Sequence, residues 1–321
     1  MYILHACTKC AKDQSVYFRA YSGEYLCKKC FMVSIEEKAA RTISKYSMIK
    51  YGERVAVGVS GGKDSLSLLY VLKKFFDQHG RSSKDDLIAV TIDEGIGGYR
   101  DESLAIVKDF CARLGVQGRV LSYKDLFGVS MDEAMVKRPS EKMSSCSICG
   151  TFRRRAIDLA AESVGADVVA TAHNLDDQLQ TFMINLLAGD VERIGWMHPR
   201  PVQYAGGSGM KKVKPFVELY EHEIAFYALQ RNIPFQSEEC PYMDESIRTD
   251  LREFFNRMEK EHPGIKNNAY ASMMKVSEKL RMSAAEPRGD KKCTICGRDA
   301  TGDICSVCRT VKVLGQNRKL I

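Results

Sequence analysis

The 321-residue sequence predicts an α/β fold, a doubly wound parallel sheet carrying a small cysteine-rich module at each end. Three observations predict it. Strand-like and helix-like stretches alternate between positions 53 and 188, and a glycine-rich turn, Ser60-Gly61-Gly62-Lys63-Asp64-Ser65, joins the first strand to the first helix. Eight of the twelve cysteines form four Cys-x2-Cys pairs, two near each end. Alternating strands and helices pack as a parallel sheet covered on both faces, whereas paired Cys-x2-Cys spacing in an intracellular chain points to metal.

Taken in order, the chain opens with Cys7-x2-Cys10, followed after sixteen residues by Cys27-x2-Cys30. Four thiolates fill the coordination of Zn²⁺ and leave no open position, so a closed structural zinc module is expected over 1–34. Neither pair opens a thioredoxin-like βαβ unit, which disfavours a redox role. The apolar run ending at Val57-Gly58-Val59 predicts a strand over 53–59, and Leu66, Leu68, Leu69 and Leu72 predict a helix over 64–77. Strands at 87–92, 117–122 and 167–171 then alternate with helices at 100–114, 151–164 and 175–188. Gly206-Gly207-Ser208-Gly209 with Lys211, Lys212 and Lys214 predicts an exposed loop over 204–215, followed by helices near 218–231, 246–261 and 267–282. Cys293-x2-Cys296 and, eight residues on, Cys305-x2-Cys308 predict a second closed zinc module over 287–321. Residues 35–286 remain as the main domain.

The glycine turn suits a phosphate. Two adjacent glycines let amide N–H groups and a helix N-terminus approach an anion closely, while Lys63 and the hydroxyls of Ser60 and Ser65 complete the cradle. The GxxxxGK[ST] spacing of a Walker A loop is absent. In open α/β sheets ligands bind beyond the carboxyl ends of the strands. The second strand ends at Asp93-Glu94-Gly95, and the fourth runs into Ala172-His173-Asn174-Leu175-Asp176-Asp177. Gly58, the loop, Asp93, His173 and Asp177 are therefore expected at one crevice. Asp176 and Asp177 also suit capping of the helix that follows, and His173 a hydrogen-bonded core position.

A hydrophobic content of 45% is enough for a full core. The N-terminus lacks a basic segment followed by an apolar stretch, and the apolar runs are short, so the chain reads as soluble and intracellular, with no membrane contact. The net charge of +7 is modest, but basic residues cluster. Residues 288–321 carry eight basic side chains against three acidic ones, and 137–155 carry six (Lys137, Arg138, Lys142, Arg153, Arg154 and Arg155) against Glu141 alone. Such clustering favours a nucleic acid partner, although a solvated charged face accounts for part of it.

Four cysteines remain. Cys111 follows Val107 by four residues beside Phe110 and reads as a core thiol. Cys146-x2-Cys149 opens a helix and precedes Arg153-Arg154-Arg155, a setting that lowers a thiol's pKa, and Cys240 precedes Pro241 in a loop. If these three converge they supply three thiolates without a fourth protein ligand. That set suits a [4Fe-4S] cluster with one open iron, or a persulfide and disulfide pair working without metal.

Taken together, SGGKDS, the stretch Cys146 to Asp158 (CSICGTFRRRAID), TAHNLDD over 171–177 and ECPY over 239–242 resemble the TtuA/NcsA group of tRNA 2-thiolation enzymes, within the PP-loop ATP pyrophosphatases. The resemblance covers nearly the whole chain and both cysteine modules. It implies a PP-loop catalytic domain over 35–286 with a helical C-terminal part, and a cytoplasmic tRNA sulfurtransferase that adenylates a uridine C2 oxygen and replaces it with sulfur. It further implies ATP and Mg²⁺ on Gly58, Ser60, Gly61, Gly62, Lys63, Asp64, Ser65, Asp93 and His173, and proton transfer by Asp177. A [4Fe-4S] cluster on Cys146, Cys149 and Cys240 and two Zn²⁺ ions on the eight terminal cysteines follow from the same likeness. The implied partners are tRNA, a ubiquitin-like sulfur carrier or free sulfide, and a second copy of the chain. The Cys-Gly-x-Phe-Arg-Arg-Arg stretch, with Arg248, Arg252, Glu259 and Pro263-Gly264, favours the branch acting on wobble uridine 34. The alternatives are T-loop ribothymidine 54, whose enzymes carry a lysine where Arg153 stands, and a PP-loop ligase that does not act on tRNA.

Overall fold

The computed structural model describes residues 5–81, 86–139, 143–200, 210–242, 247–283 and 291–315. The expected parallel sheet forms, with five strands: β3 (Val55–Gly58), β4 (Leu87–Asp93), β5 (Gln117–Ser122), β6 (Val168–Ala170) and β7 (Lys211–Val213), in the order β5-β4-β3-β6-β7. Every neighbouring pair is parallel, with Val55 opposite both Leu87 and Val168. The N-terminal module adds a two-stranded antiparallel ribbon, β1 (Tyr17–Arg19) and β2 (Glu24–Leu26).

Strand alternation sends successive side chains to two separate cores. Val55, Val57, Leu87 and Ala89 join one core with Leu66, Leu69 and Phe76 of helix α2 (Lys63–Gln78) and with Phe31, Ile35 and Ala39 of helix α1 (Lys28–Lys45). Ala56, Val90, Ile92 and Val169 join the other core with Tyr123, Phe127 and Phe152. The N-terminal cysteines Cys7 and Cys27 pack into the first core, and Cys293, Cys305 and Cys308 into the second. The two modules thus sit on opposite faces of one sheet.

Helix α3 (Tyr99–Leu114) follows the second strand, as expected. Two short helices not anticipated from the sequence, α4 (Tyr123–Phe127) and α5 (Met131–Lys137), fill the second core. Helix α6 spans Ser145–Ser163, six residues longer at its start than the expected 151–164, because Ser144 caps it by accepting from the amide of Ser147. Both Cys146 and Cys149 therefore lie inside its first two turns. Helix α7 (Leu175–Leu187), the short α8 (Val191–Gly195), α9 (Glu221–Gln230), α10 (Ile247–Glu261) and α11 (Ile265–Ser283) complete the main domain, and α12 (Ser306–Val313) closes the second module.

The expected exposed loop over 204–215 is corrected in part. Positions 201–209, with the glycine run, lie outside the described residues, while Lys211–Val213 is the edge strand β7. Val213 is buried, and Lys211 points inward to pair with Glu53, so a lysine-rich run that looks solvated is held by one buried ion pair. Helix α1 runs without a break across the expected boundary at position 34. Among the described residues no helix is long and apolar enough to cross a membrane.

Candidate active site

A cavity of about 620 Å³ opens at the carboxyl ends of β3, β4 and β6. The glycine loop lines one side of it with Ser60, Gly62, Lys63, Asp64 and Ser65. Gly61 makes this loop possible. Its φ is +90°, and a Cβ there would lie 2.7 Å from Ser103 Cβ on α3, so only glycine fits. Gly62 caps α2 without any side-chain hydrogen bond, which leaves the amides of the first turn directed at the cavity. The loop braces itself through Ser65, whose Oγ donates to Gly62 O at 3.0 Å and accepts from the Ser60 amide at 3.1 Å.

Two acidic groups face Lys63. Its Nζ donates to Glu221 Oε1 at 3.0 Å and to Asp64 Oδ2 at 3.3 Å. Burial raises Asp64 to about 6; Lys63 opposes the shift, and Glu221 and Asp177 add to it. Asp64 Oδ1 is buried and has no hydrogen-bond partner among the described residues. Such an atom fits Mg²⁺ accompanying a triphosphate. Asp177 lines the cavity and also caps α7, accepting from the Asn174 amide at 3.0 Å. Burial raises its pKa against that amide bond. The capping reading of Asp177 therefore holds, and the same side chain faces the cavity. Asp176 has a structural task only: it pairs with the buried Lys266 and accepts from the Glu221 amide. His173 lines the cavity and shares a 2.8 Å hydrogen bond with Thr171 Oγ1. Burial, then the charges of Lys214, Arg248 and Arg153, push it down to about 3, so it stays neutral.

Of the nucleotide residues expected from sequence, Gly58, Ser60, Gly62, Lys63, Asp64, Ser65 and His173 line the cavity. Gly61, which shapes the loop from behind, and Asp93 do not; Asp93 Oδ1 accepts from the Gly95 amide at 2.8 Å and holds the turn. Of the two neighbouring carboxylates at the end of β4, the one facing the cavity is Glu94, which the sequence reading did not single out. The signal was present, because two-residue alternation places Val90, Ile92 and Glu94 on one face and Asp93 on the other.

The cysteine helix reaches the same cavity through Arg153 and Ile157. Cys149 precedes Arg153 by one turn, and its Sγ lies 3.5 Å from Tyr123 Oη. The sequence predicts a lowered thiol pKa here; instead burial outweighs the Arg153 charge and raises it. Cys146 is exposed, and Cys240 lies two residues beyond Glu238, another cavity residue. Ser145 Oγ donates to Tyr242 O at 2.7 Å, which fastens the Cys240 loop to the start of α6. Among the described residues, only the two terminal quartets bring their sulfurs within 4.8 Å of one another. A four-iron cube puts each ligand on a different iron, so its thiolates stand further apart than those sharing one ion. The triad fits such a cluster in residue type and in placement on two joined segments.

The terminal quartets fit a single ion. Tetrahedral Zn–S bonds of about 2.3 Å set sulfurs about 3.8 Å apart; Cys10 and Cys27 lie 3.9 Å apart, and Cys296 and Cys305 3.8 Å. Cys27 and Cys305 cap α1 and α12, each accepting from the amide three residues on. Burial raises the Cys7 and Cys293 thiols, but backbone amides outweigh it and bring both down to about 6. Cys111 is a core thiol, raised to about 11 by burial.

The PP-loop domain family matches residues 33–258. The tRNA 2-thiolation protein NcsA of Haloferax volcanii is 33% identical over 322 aligned positions, 95% of this chain and 98% of its own. The cytoplasmic tRNA 2-thiolation protein 1 of Chlamydomonas reinhardtii is 35% identical over 97% of this chain and 85% of its own. The solved structure of the U34-tRNA thiolase NcsA from Methanococcus maripaludis with its [4Fe-4S] cluster is similar over 100% of both chains, with a TM-score of 0.82 and 30% identity.

Proposed function

Because this chain belongs to the PP-loop family of tRNA 2-thiolation proteins, we propose that it converts the wobble uridine, position 34, of tRNA to 2-thiouridine. The observation that carries this reading is a single cavity lined both by the glycine loop and by Arg153 of the cysteine helix. Amides of the loop, Lys63, Ser60 and Ser65 bind the phosphates of ATP, and Asp64 holds Mg²⁺. Asp177 takes the N3 proton of the uracil as the C2 oxygen attacks the α-phosphorus, and pyrophosphate leaves. A sulfur nucleophile then adds at C2, and AMP departs with the oxygen. Neutral His173 orients the bound groups without adding charge. Cys146, Cys149 and Cys240 would hold a [4Fe-4S] cluster, whose open iron supplies a place for sulfide. The eight terminal cysteines hold two Zn²⁺ ions.

The sulfur arrives from a ubiquitin-like carrier or as free sulfide, and the working form is a homodimer in the cytoplasm. Exposed Lys137, Arg154 and Arg309 draw the tRNA phosphates toward the cavity. Arg298 does not take part, because it makes a bidentate pair with Glu162 and docks the second module on α6. The deciding experiment is anaerobic reconstitution with tRNA, Mg·ATP and sulfide, followed by nucleoside mass spectrometry with position mapping. The expected product is 2-thiouridine at position 34. A thiolated position 54 would move the chain to the T-loop branch, and pyrophosphate release indifferent to tRNA would make it a small-molecule ligase.

A further inference from the structure

Glu94 is 3% exposed, yet it carries a carboxylate at the floor of the cavity. Two guanidinium groups hold it, one at each oxygen. Arg100 Nε lies 2.7 Å from Oε2, and Arg153 reaches Oε1 with Nη2 at 2.9 Å and Nε at 3.0 Å. Arg100, itself 5% exposed, spends its other two nitrogens on backbone. Nη1 donates to Ser60 O at 2.9 Å, inside the glycine loop, and Nη2 to Ile92 O at 2.7 Å. Arg153 stands at the other end with its side chain half exposed to the cavity, one helical turn beyond Cys149. A continuous path therefore runs from the nucleotide loop to the cysteine helix: a hydrogen bond from Arg100 to Ser60 O, the close Arg100–Glu94 ion pair, and the hydrogen-bonded Glu94–Arg153 pair.

A buried carboxylate needs its cations, and removing one side leaves an uncompensated charge. A sheet needs no such link at this point, because Val90 and Ile92 already pack the second core. A planar guanidinium gripped at two nitrogens is fixed in orientation, where a lysine would swing.

We propose that Glu94 is a positioning residue, coupling the nucleotide loop to the cysteine helix through Arg100 and Arg153. It holds the Arg153 guanidinium where the departing phosphate and the incoming sulfur meet. The coupling rests on the sulfur-transfer reading for its purpose, but not for its physical test. Attack of sulfur on the adenylated base requires both halves in register, since misplacement by about 1 Å costs on the order of 10²-fold in rate. Out of register, water takes the activated carbon and AMP is released with no sulfur gained.

The test compares the full-length, reconstituted protein with Glu94→Gln, which keeps shape and removes charge. Two readouts are taken: AMP released per 2-thiouridine formed, and deuterium uptake in peptides covering 145–153 with and without a non-hydrolysable ATP analogue. In the parent protein the analogue slows exchange in those peptides. In Glu94→Gln the analogue binds within about threefold of the parent, protection at 145–153 is lost, and AMP per thiouridine rises about tenfold or more. Protection retained in the variant, or an unchanged ratio, overturns the proposal, as does a parent protein whose cysteine helix ignores the nucleotide. A proportional fall in AMP and thiouridine with a lower melting temperature also overturns it, since that is a structural role alone. Should Glu94→Gln not fold, Arg153→Met, at the exposed end of the path, is judged by the same two readouts. A parent that makes AMP but never thiouridine defeats the sulfur-transfer reading, while deuterium uptake still decides the coupling.

Discussion

At the scale of single residues, the cavity holds charges at odds with their surroundings, and Asp64 is the clearest case. Its folded-state value of about 6 lies above the ordinary 3.8, with burial the first cause. A carboxyl whose pKa is raised on folding favours the folded state only while protonated. Stability therefore falls as pH rises from about 4 to about 6, by about 1–3 kcal/mol. Asp64→Asn removes that slope: the variant melts higher than the parent at neutral pH and level with it below about pH 4. It also loses Mg·ATP affinity by about tenfold or more. Calorimetry at the two pH values with nucleotide titration checks both, and parallel melting of parent and variant would sink the assignment. His173 is the opposite case. Held near 3 by burial and neighbouring cations, it is already neutral, so His173→Gln leaves the pH profile of the reaction unchanged between about pH 5 and 8. A new limb in that profile would show that the histidine titrates during turnover. The residue types of this site were legible in the sequence, but their pKa directions were not. Cys149 shows why: the neighbouring Arg153 is visible in the chain, whereas the burial that outweighs it is set by packing against the second core.

At the scale of elements, the glycine loop was legible because its geometry is dictated locally. Gly61 and Gly62 nevertheless differ in kind. Gly61→Ala meets both a left-handed backbone and Ser103 Cβ at 2.7 Å, and is expected to cost about 1–3 kcal/mol and to displace the loop. Gly62 has an ordinary φ of −82° and only Ser60 Oγ near its missing Cβ, so Gly62→Ala leaves stability within about 0.5 kcal/mol. Urea titration of the two variants separates these outcomes, and equal loss in both would contradict the loop geometry. The edge strand β7 was not legible: three lysines within four positions look solvated, and only the partner Glu53, distant in sequence, turns Lys211 inward. Glu94 was hidden for a different reason, since it stands beside a second carboxylate and strand phase alone separates them.

At the scale of the whole molecule, the two cysteine modules brace opposite faces of one sheet, and each is fastened to a helix that serves the cavity. The first is held by Arg19, whose Nε lies 2.7 Å from Glu223 Oε1, with side chains 7% and 0% exposed. Glu223 sits on α9, two residues from the Glu221 that pairs with Lys63. The second is held by the Arg298 pair with Glu162 on α6, the helix of Cys146 and Cys149. The sequence revealed the modules from spacing alone, but not which face each covers, because the docking residues lie far apart in the chain. Breaking a buried pair on one side costs about 3–5 kcal/mol, so Arg19→Met destabilises the protein by that order in urea. Arg298→Met removes a pair that is 29% exposed on both sides, and the loss stays below about 1 kcal/mol. Metal removal reverses this ranking at the sulfur side. Opening either quartet releases a segment with little apolar content of its own, but only the second shares a core with Ile148 and Phe152 of the cysteine helix. Cys305→Ser should therefore lose iron from the reconstituted protein while nucleotide binding persists, and Cys27→Ser should weaken nucleotide binding first. Iron and zinc contents, read alongside ATP titration of the two variants, give opposite patterns if each module serves the half of the site it touches. Identical patterns would mean that both act only on global stability.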